Sequence, residues 1–175
     1  MSGRPPSRVR AAVGSAFFMV LAPGGTALLI PWWLTGWEVQ GGGPGWAVLR
    51  VVGVLLCLAG GVVLVQSFVR FVVEGVGTPA PVAPTDRLVV GGAYRYVRNP
   101  MYLAVLALIV GQGLLLGQPV LLGYGAVFLA VTATFVHFYE EPTLRRQFPA
   151  DYDRYREAVP GWLPRIHPYV PADRP

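Results

Sequence analysis

Between Val51 and Val69 the chain carries no charged side chain, and almost every residue is apolar. A run of that length satisfies its backbone polar groups as a helix and needs apolar surroundings on most sides. The pattern recurs. Four apolar segments read as helices, at 11–34, 46–73, 101–116 and 120–138. The chain as a whole is 54% hydrophobic and 13% charged, with a mean hydropathy of +0.51. An ordinary soluble domain carries about 25% charged residues. This chain lacks the polar side chains to coat a water-soluble fold, and it is too apolar to stay disordered. The expected fold class is all-α: an integral membrane helix bundle forming one domain over 1–175. About four transmembrane helices are expected, plus a C-terminal interfacial amphipathic helix.

A span needs roughly 17–25 residues. Segments 46–73 and 120–138 meet that length. Segment 101–116 falls short, so it must borrow residues at an end or lie where the protein surrounds it. Gly117-Gln118-Pro119 joins it to the next segment as a tight helical hairpin. Segment 11–34 contains Pro23-Gly24-Gly25 and, near its end, Pro31, which predicts a kinked or broken helix. Its basic start (Arg4, Arg8, Arg10) is like that of a signal peptide. The apolar character runs on to Leu34 with no small-x-small cleavage site, so retention as a membrane helix is expected.

The 14 basic residues are all Arg, and the net charge is +5. They sit in the N-terminal tail, in the 74–100 loop with Arg70 at its edge, and in the C-terminal tail. Only Arg50 lies by the other ends of the spans. The positive-inside rule then places both termini and the middle loop in the cytoplasm, with the chain in the inner membrane. Arg dispersed between apolar runs suits a lipid bilayer rather than nucleic acid, which calls for clustered cations with stacking aromatics. Trp32, Trp33, Trp37 and Trp46 flank the first outer loop as an interfacial belt. The single cysteine, Cys57, lies in an apolar run and reads as a packing thiol. No metal-ligand spacing is present, so no metal is expected. Gly53, Gly60 and Gly61 permit close helix packing, within one chain or between two, and leave the oligomeric state open.

Chemistry is expected on the Arg-rich face, in cytoplasmic motifs at 79–102 and 139–165. The first holds Tyr94, Arg98, Asn99 and Tyr102 around Pro100, which suits a first helical turn. Read as residues alone, these also make a juxtamembrane anchor, with Arg on lipid phosphate and Tyr at the headgroups. The second begins His137-Phe138-Tyr139-Glu140-Glu141-Pro142. Adjacent carboxylates at a membrane boundary are costly unless a positive group meets them. Arg95, Arg98 or a cationic ligand would serve. Beyond them Phe148, Tyr152, Tyr155 and Val159 form an amphipathic stripe, which either lies on the bilayer surface or closes over a site.

Together the two stretches resemble the isoprenylcysteine carboxyl methyltransferase and phospholipid methyltransferase superfamily. Gly92, Tyr94, Arg98, Asn99, Pro100 and Tyr102 are similar to that family's first motif. Glu140, Glu141, Leu144, Phe148, Tyr152, Tyr155, Val159 and Pro160 are similar to its second. The resemblance implies S-adenosylmethionine as cofactor, held between the two motifs. By that resemblance Leu88 and Val89 would line the adenosine. Tyr94, Arg98, Asn99, Pro100, Met101 and Tyr102 would belong to the cofactor site, with Glu140 on its polar groups and Glu141 assisting. The acceptor would be a lipophilic small molecule or lipid, entering from the bilayer. Two departures stand out. Members acting on prenylcysteine carboxylates carry an Arg where Val136 stands, so an anionic acceptor loses its partner. The family's Phe-Gly is Phe148-Pro149.

A sulfonium donor is already activated, so a carboxylate acceptor needs no base, whereas a thiol or amine does. His137 is the candidate catalytic base; it serves equally well as a cap of the fourth helix. Two rivals remain. A membrane reductase with a nicotinamide cofactor would need more cations for its phosphates. A non-enzymatic lipid-binding scaffold would explain the Arg but not the paired motifs.

Overall fold

The structure, a computed structural model, describes residues 23–74 and 88–170. The expectations placed on residues 11–22, on the arginines at 4, 8 and 10, and on most of the 74–87 loop fall outside the described residues. Within them every regular element is helical. A π-turn over Gly25–Leu29 leads into α1 (Ile30–Thr35), and α2 spans Pro44–Glu74. A 3₁₀ turn at Gly92–Arg95 precedes α3 (Pro100–Leu116) and α4 (Pro119–Phe135). A second π-turn, Val136–Glu140, carries α4 without a break into α5 (Glu141–Gln147); α6 (Pro149–Ala158) follows.

Prolines place most of these boundaries. Asn99, Gln118 and Phe148 each precede a proline and each leave the helical region, with φ of −116°, −108° and −133°. The ring of the following proline disfavours α there and is itself preset for a first turn. Phe148-Pro149 therefore makes the bend between α5 and α6 by itself. Pro31 and Pro142 act differently, because their helices run through them. Each lacks the N–H that bonds four residues back, and its ring crowds that carbonyl. In both places the preceding turn widens: Ile30 N–H bonds Gly25 O, and Glu141 N–H bonds Val136 O. The described part of the first segment is thus an unbroken helix with an irregular turn.

Two helices are long and apolar enough to cross a membrane, Gly45–Arg70 and Pro119–Gln147, and Pro100–Leu116 is a shorter apolar helix. In α2 only 17% of the apolar window is buried. Leu55, Leu58, Val62, Val65 and Val69 stand exposed along it, which a soluble core helix would not permit. α3 is short because it is internal. It packs against α2, α4 and the first π-turn, and Ile109 on it is fully buried. Ala27, Leu64, Phe68, Ala104 and Val105 complete that core.

The α2–α3 contact is built on missing side chains. A Cβ on Gly53 would lie 2.6 Å from Gly111 O, and one on Gly60 would lie 2.7 Å from Ala104 O. Gly53 and Gly60 therefore pack within the chain, while Gly61 faces open space. Cys57 packs in the same seam, its thiol directed at Leu108 O. At the far end Gly117 ends α3 at φ +68°, where a Cβ would meet Gln40 O at 2.3 Å. Gln40 N–H bonds Leu116 O and Gln118 Nε2 bonds Glu38 O, tying the 36–43 loop to the hairpin, and Gln112 Nε2 bonds Ala27 O in the first π-turn.

Replacing Gly111 by Ala forces a Cβ to within 2.7 Å of Cys57 Sγ and 2.8 Å of Gly53 O. It should cost about 1–3 kcal/mol of stability. Gly61→Ala should be neutral or gain up to about 1 kcal/mol from helix propensity. Unfolding of both variants in detergent, side by side with the parent, checks this; equal effects would contradict the packing described.

Candidate functional site

Arg98 organises the region between α3 and the C-terminal segment. Its backbone N–H donates to Pro160 O at 2.9 Å, and its Nε donates to Val159 O at 3.0 Å. Its Nη1 donates to Tyr152 OH at 3.0 Å and forms an ion pair with Glu141, both side chains being largely buried. Arg156 approaches the other oxygen of Glu141 at 3.7 Å. Asn99 Nδ2 donates to Gly161 O, and Tyr155 OH donates to Tyr94 O at 2.6 Å. Further along, Tyr169 N–H donates to Arg95 O while Arg95 Nε donates to Tyr169 O. The C-terminal segment is strapped across the 3₁₀ turn by backbone and side chain together.

The amphipathic stripe now has a definite partner. Tyr152, Tyr155 and Val159 are buried against Val90, with Phe148 and Leu144 packed on them. α6 turns its apolar face to the protein and closes over a site instead of lying on lipid. Burial, and after it the nearby Glu140 carboxylate, pushes the Tyr94 phenol well up from its ordinary value. Burial likewise raises Tyr155. Both therefore remain neutral hydroxyls at physiological pH.

Beneath the strap lies a cavity of about 80 Å³. Leu88, Val89, Tyr94, Arg98, Asn99, Glu140 and Glu141, expected from the sequence, all line it. Val136, Leu144, Tyr152 and Tyr155 complete the lining. Tyr102 joins the group by donating from its hydroxyl to Glu140 Oε2 at 2.9 Å, and Trp162 lies beside its ring at 6.3 Å. Three expected residues stand elsewhere. Pro100 is buried at the start of α3 and faces a different groove, between α2 and α3. Met101 packs on the interhelical core. His137 is exposed, its ring edge-on to Phe138 at 4.7 Å. Tyr152 and Tyr155 were visible in the sequence as members of the stripe and of the second motif but were not expected in the site, and Val136 was visible only as a departure from a motif.

The two acids differ in company. Glu141 is matched by Arg98 and Arg156. Among the described residues Glu140 accepts one hydrogen bond, from the neutral Tyr102, and has no ion pair. Among the described residues both nearby guanidinium groups, Arg98 and Arg156, are engaged by Glu141, and Glu140, whose carboxyl burial pushes up from its ordinary range, meets no cation. A family model described as phospholipid methyltransferase matches residues 48–151, from early α2 into α6. The chain belongs to that family. No curated protein and no solved structure gives a match. The family consists of integral membrane methyltransferases related to those acting on isoprenylcysteine carboxyl groups, and its matched region contains the first motif, both carboxylates and the long apolar helices.

Loss of the Arg98 clamp should release the strap. Arg98→Met leaves Glu141 without its main partner and should destabilise the chain by about 3 kcal/mol. Trypsin should then cut faster at Arg154 and Arg156. In Arg98→Met/Glu141→Leu, with no orphaned charge, part of that loss should return. Unchanged proteolysis in Arg98→Met would contradict the clamp.

Proposed function

We propose that the protein is an S-adenosylmethionine-dependent methyltransferase embedded in the inner membrane by four helices, with its cofactor site on the cytoplasmic face. The observation that carries this reading is the buried Glu140 carboxyl, which accepts from Tyr102 and meets no cation among the described residues. A sulfonium nucleotide is cationic at its reacting centre, and its ribose hydroxyls donate to carboxylates. A nicotinamide dinucleotide carries phosphates, and Arg98, the one cation among the described lining residues, is already engaged by Glu141. The donor set therefore fits the sulfonium and opposes the dinucleotide.

The enclosed space, about 80 Å³, is smaller than the roughly 300–1,000 Å³ of ligand pockets. Entry of a nucleoside requires lining side chains to shift. Leu88 and Leu144 are the apolar lining residues that are only half-buried. The cofactor, when bound, supplies an activated methyl group for in-line displacement. The chain's own part is to hold and orient. Tyr102 fixes the Glu140 carboxylate, Arg98 holds Glu141 away from competing for the same ligand group, and the strap from Val159 to Gly161 excludes water. Val136, nearly fully buried in the lining, offers no charge to an anionic acceptor. The acceptor is accordingly a lipophilic small molecule or lipid reaching the cleft from the bilayer.

Calorimetry with the purified protein in detergent tests the reading. S-adenosylmethionine should bind and NADPH should not. Glu140→Gln should weaken the binding about tenfold or more, the effect of a charge-assisted bond worth ~1.5–3 kcal/mol. Tyr102→Phe should weaken it by a smaller factor. An unaltered affinity in Glu140→Gln would remove the basis of the proposal. His137→Ala should leave cofactor affinity intact; turnover in that variant separates a proton acceptor from a surface residue.

A further inference from the structure

Beyond α6 the strap over 159–170 carries a single charged residue, Arg165. Leu163, Ile166 and Val170 stand 79%, 89% and 71% exposed along it. Large apolar side chains so exposed on one short segment call for a partner. The element before it is different. α6 buries Tyr152 and Tyr155 and turns Asp151, Arg154, Arg156 and Glu157 outward, a face suited to water. The strap instead turns its polar groups inward. Arg165 donates from its backbone N–H to Tyr96 O and from Nη1 to Ala158 O, and Tyr169 N–H donates to Arg95 O. Pro160, Pro164 and Pro168 have no N–H to satisfy and keep the segment from coiling into a helix. The outward side is left with Leu163, Ile166 and Val170, and His167 among them.

Two contacts fix the height of the strap against the spanning helices. Pro164 lines the groove between α2 and α3 together with Arg70. Tyr169 is bonded to the 3₁₀ turn, where a Cβ on Gly92 would lie 3.1 Å from Arg70 Cγ. Arg70 directly follows the uncharged run Val51–Val69, whose length at 1.5 Å per residue matches the roughly 30 Å of a hydrocarbon core. The strap therefore lies where hydrocarbon gives way to headgroups. The α2 wall of that groove adjoins Leu58, Val62, Val65 and Val69, exposed and apolar, so lipid-facing surface leads up to the strap.

We propose that the strap is a membrane-seated wedge: Leu163, Ile166 and Val170 enter the bilayer interface on the Arg70 side, while the outer face of α6 stays in water. The occupant is lipid, because the strap continues a surface already in lipid and presents no carboxylate to a protein partner. Trp162, half-buried against Tyr102, suits the same boundary. The carbonyls of Val159 and Gly161, which accept from Arg98 and Asn99, belong to the same strap, so seating it in lipid holds the cover of the cavity in place. This surface rests on membrane embedding alone and stands independently of the methyl-transfer reading.

Fluorescence quenching of the full chain in phosphatidylcholine nanodiscs, one chain to a disc, tests the wedge. Cys57→Ala removes the native thiol. An NBD fluorophore is then attached through Leu163→Cys, Ile166→Cys or, as a control on the outer face of α6, Asp151→Cys. Circular dichroism and unfolding in detergent should match the parent carrying Cys57→Ala, because all three labelled positions are exposed. A phosphatidylcholine with a nitroxide near the top of its acyl chain should quench the labels at 163 and 166 but not the label at 151. Aqueous iodide should do the reverse, quenching at 163 and 166 about tenfold less than at 151, the factor for ~1.4 kcal/mol of insertion. Folded variants in which iodide reaches 163 and 166 as readily as 151 would overturn the proposal. So would protection of 163 and 166 from both quenchers, which would put protein and not lipid over the strap.

Discussion

The ion pair between Arg98 and Glu141 is the contact on which the described architecture turns. Arg98 ends the segment leading into α3, Glu141 lies where α4 passes into α5, and the same guanidinium reaches Tyr152 on α6 and the carbonyl of Val159 beyond it. Three residues 43 to 61 positions further along the chain meet on one side chain. Arg suits the task because its planar group donates in several directions at once, which an ammonium does less well. The pair is largely shielded from water. Its desolvation is expensive, and it gains its value from the additional bonds that satisfy the remaining donors. Glu141 is thereby committed to holding the fold, and Glu140, one residue away, is left without a cationic partner among the described residues.

The different fates of these adjacent carboxylates arise from the helix that carries them. Pro142 cannot bond to the carbonyl of Phe138, and the turn before it opens to the π form. The added residue in that turn rotates the later residues to a different face from the one a regular α-helix would give them. Val136 and Glu140 then line the cavity, while His137 and Phe138 point outward. The same relation between a proline and a widened turn holds at Pro31, on the opposite side of the fold, where the consequence is packing: Ala27 of that turn is buried in the interhelical core and receives the Gln112 amide on its carbonyl.

The bundle itself is economical. α3 is held to α2 by glycines as well as by the Leu64, Phe68 and Ile109 cluster, because in an apolar medium close backbone approach and dispersion drive helix association more than burial from water does. Gly53 and Gly111 bring the α2 and α3 backbones together, and that closeness puts the 3₁₀ turn within reach of Arg70 at one end and the outer loop within reach of Gly117 at the other.

Much of this was legible in the residues alone. Uncharged runs marked α2 and α4, the Gly117-Gln118-Pro119 step marked the hairpin, and the two polar stretches contained ten residues that the fold gathers around one cavity. The described residues hold two helices of spanning length, and part of the first expected span, 11–22, lies outside them; α3 was recognisable as short, and its internal place is what permits that. What the sequence could not convey was which of two acids would be neutralised, which face of α6 would be covered, and that His137 would stand outside the cavity. Periodicity and charge report what a segment requires of its surroundings. Which surroundings it receives depends on contacts between residues some forty to sixty positions apart, such as Arg98 with Glu141 and with Val159, and these exist only once the helices have packed.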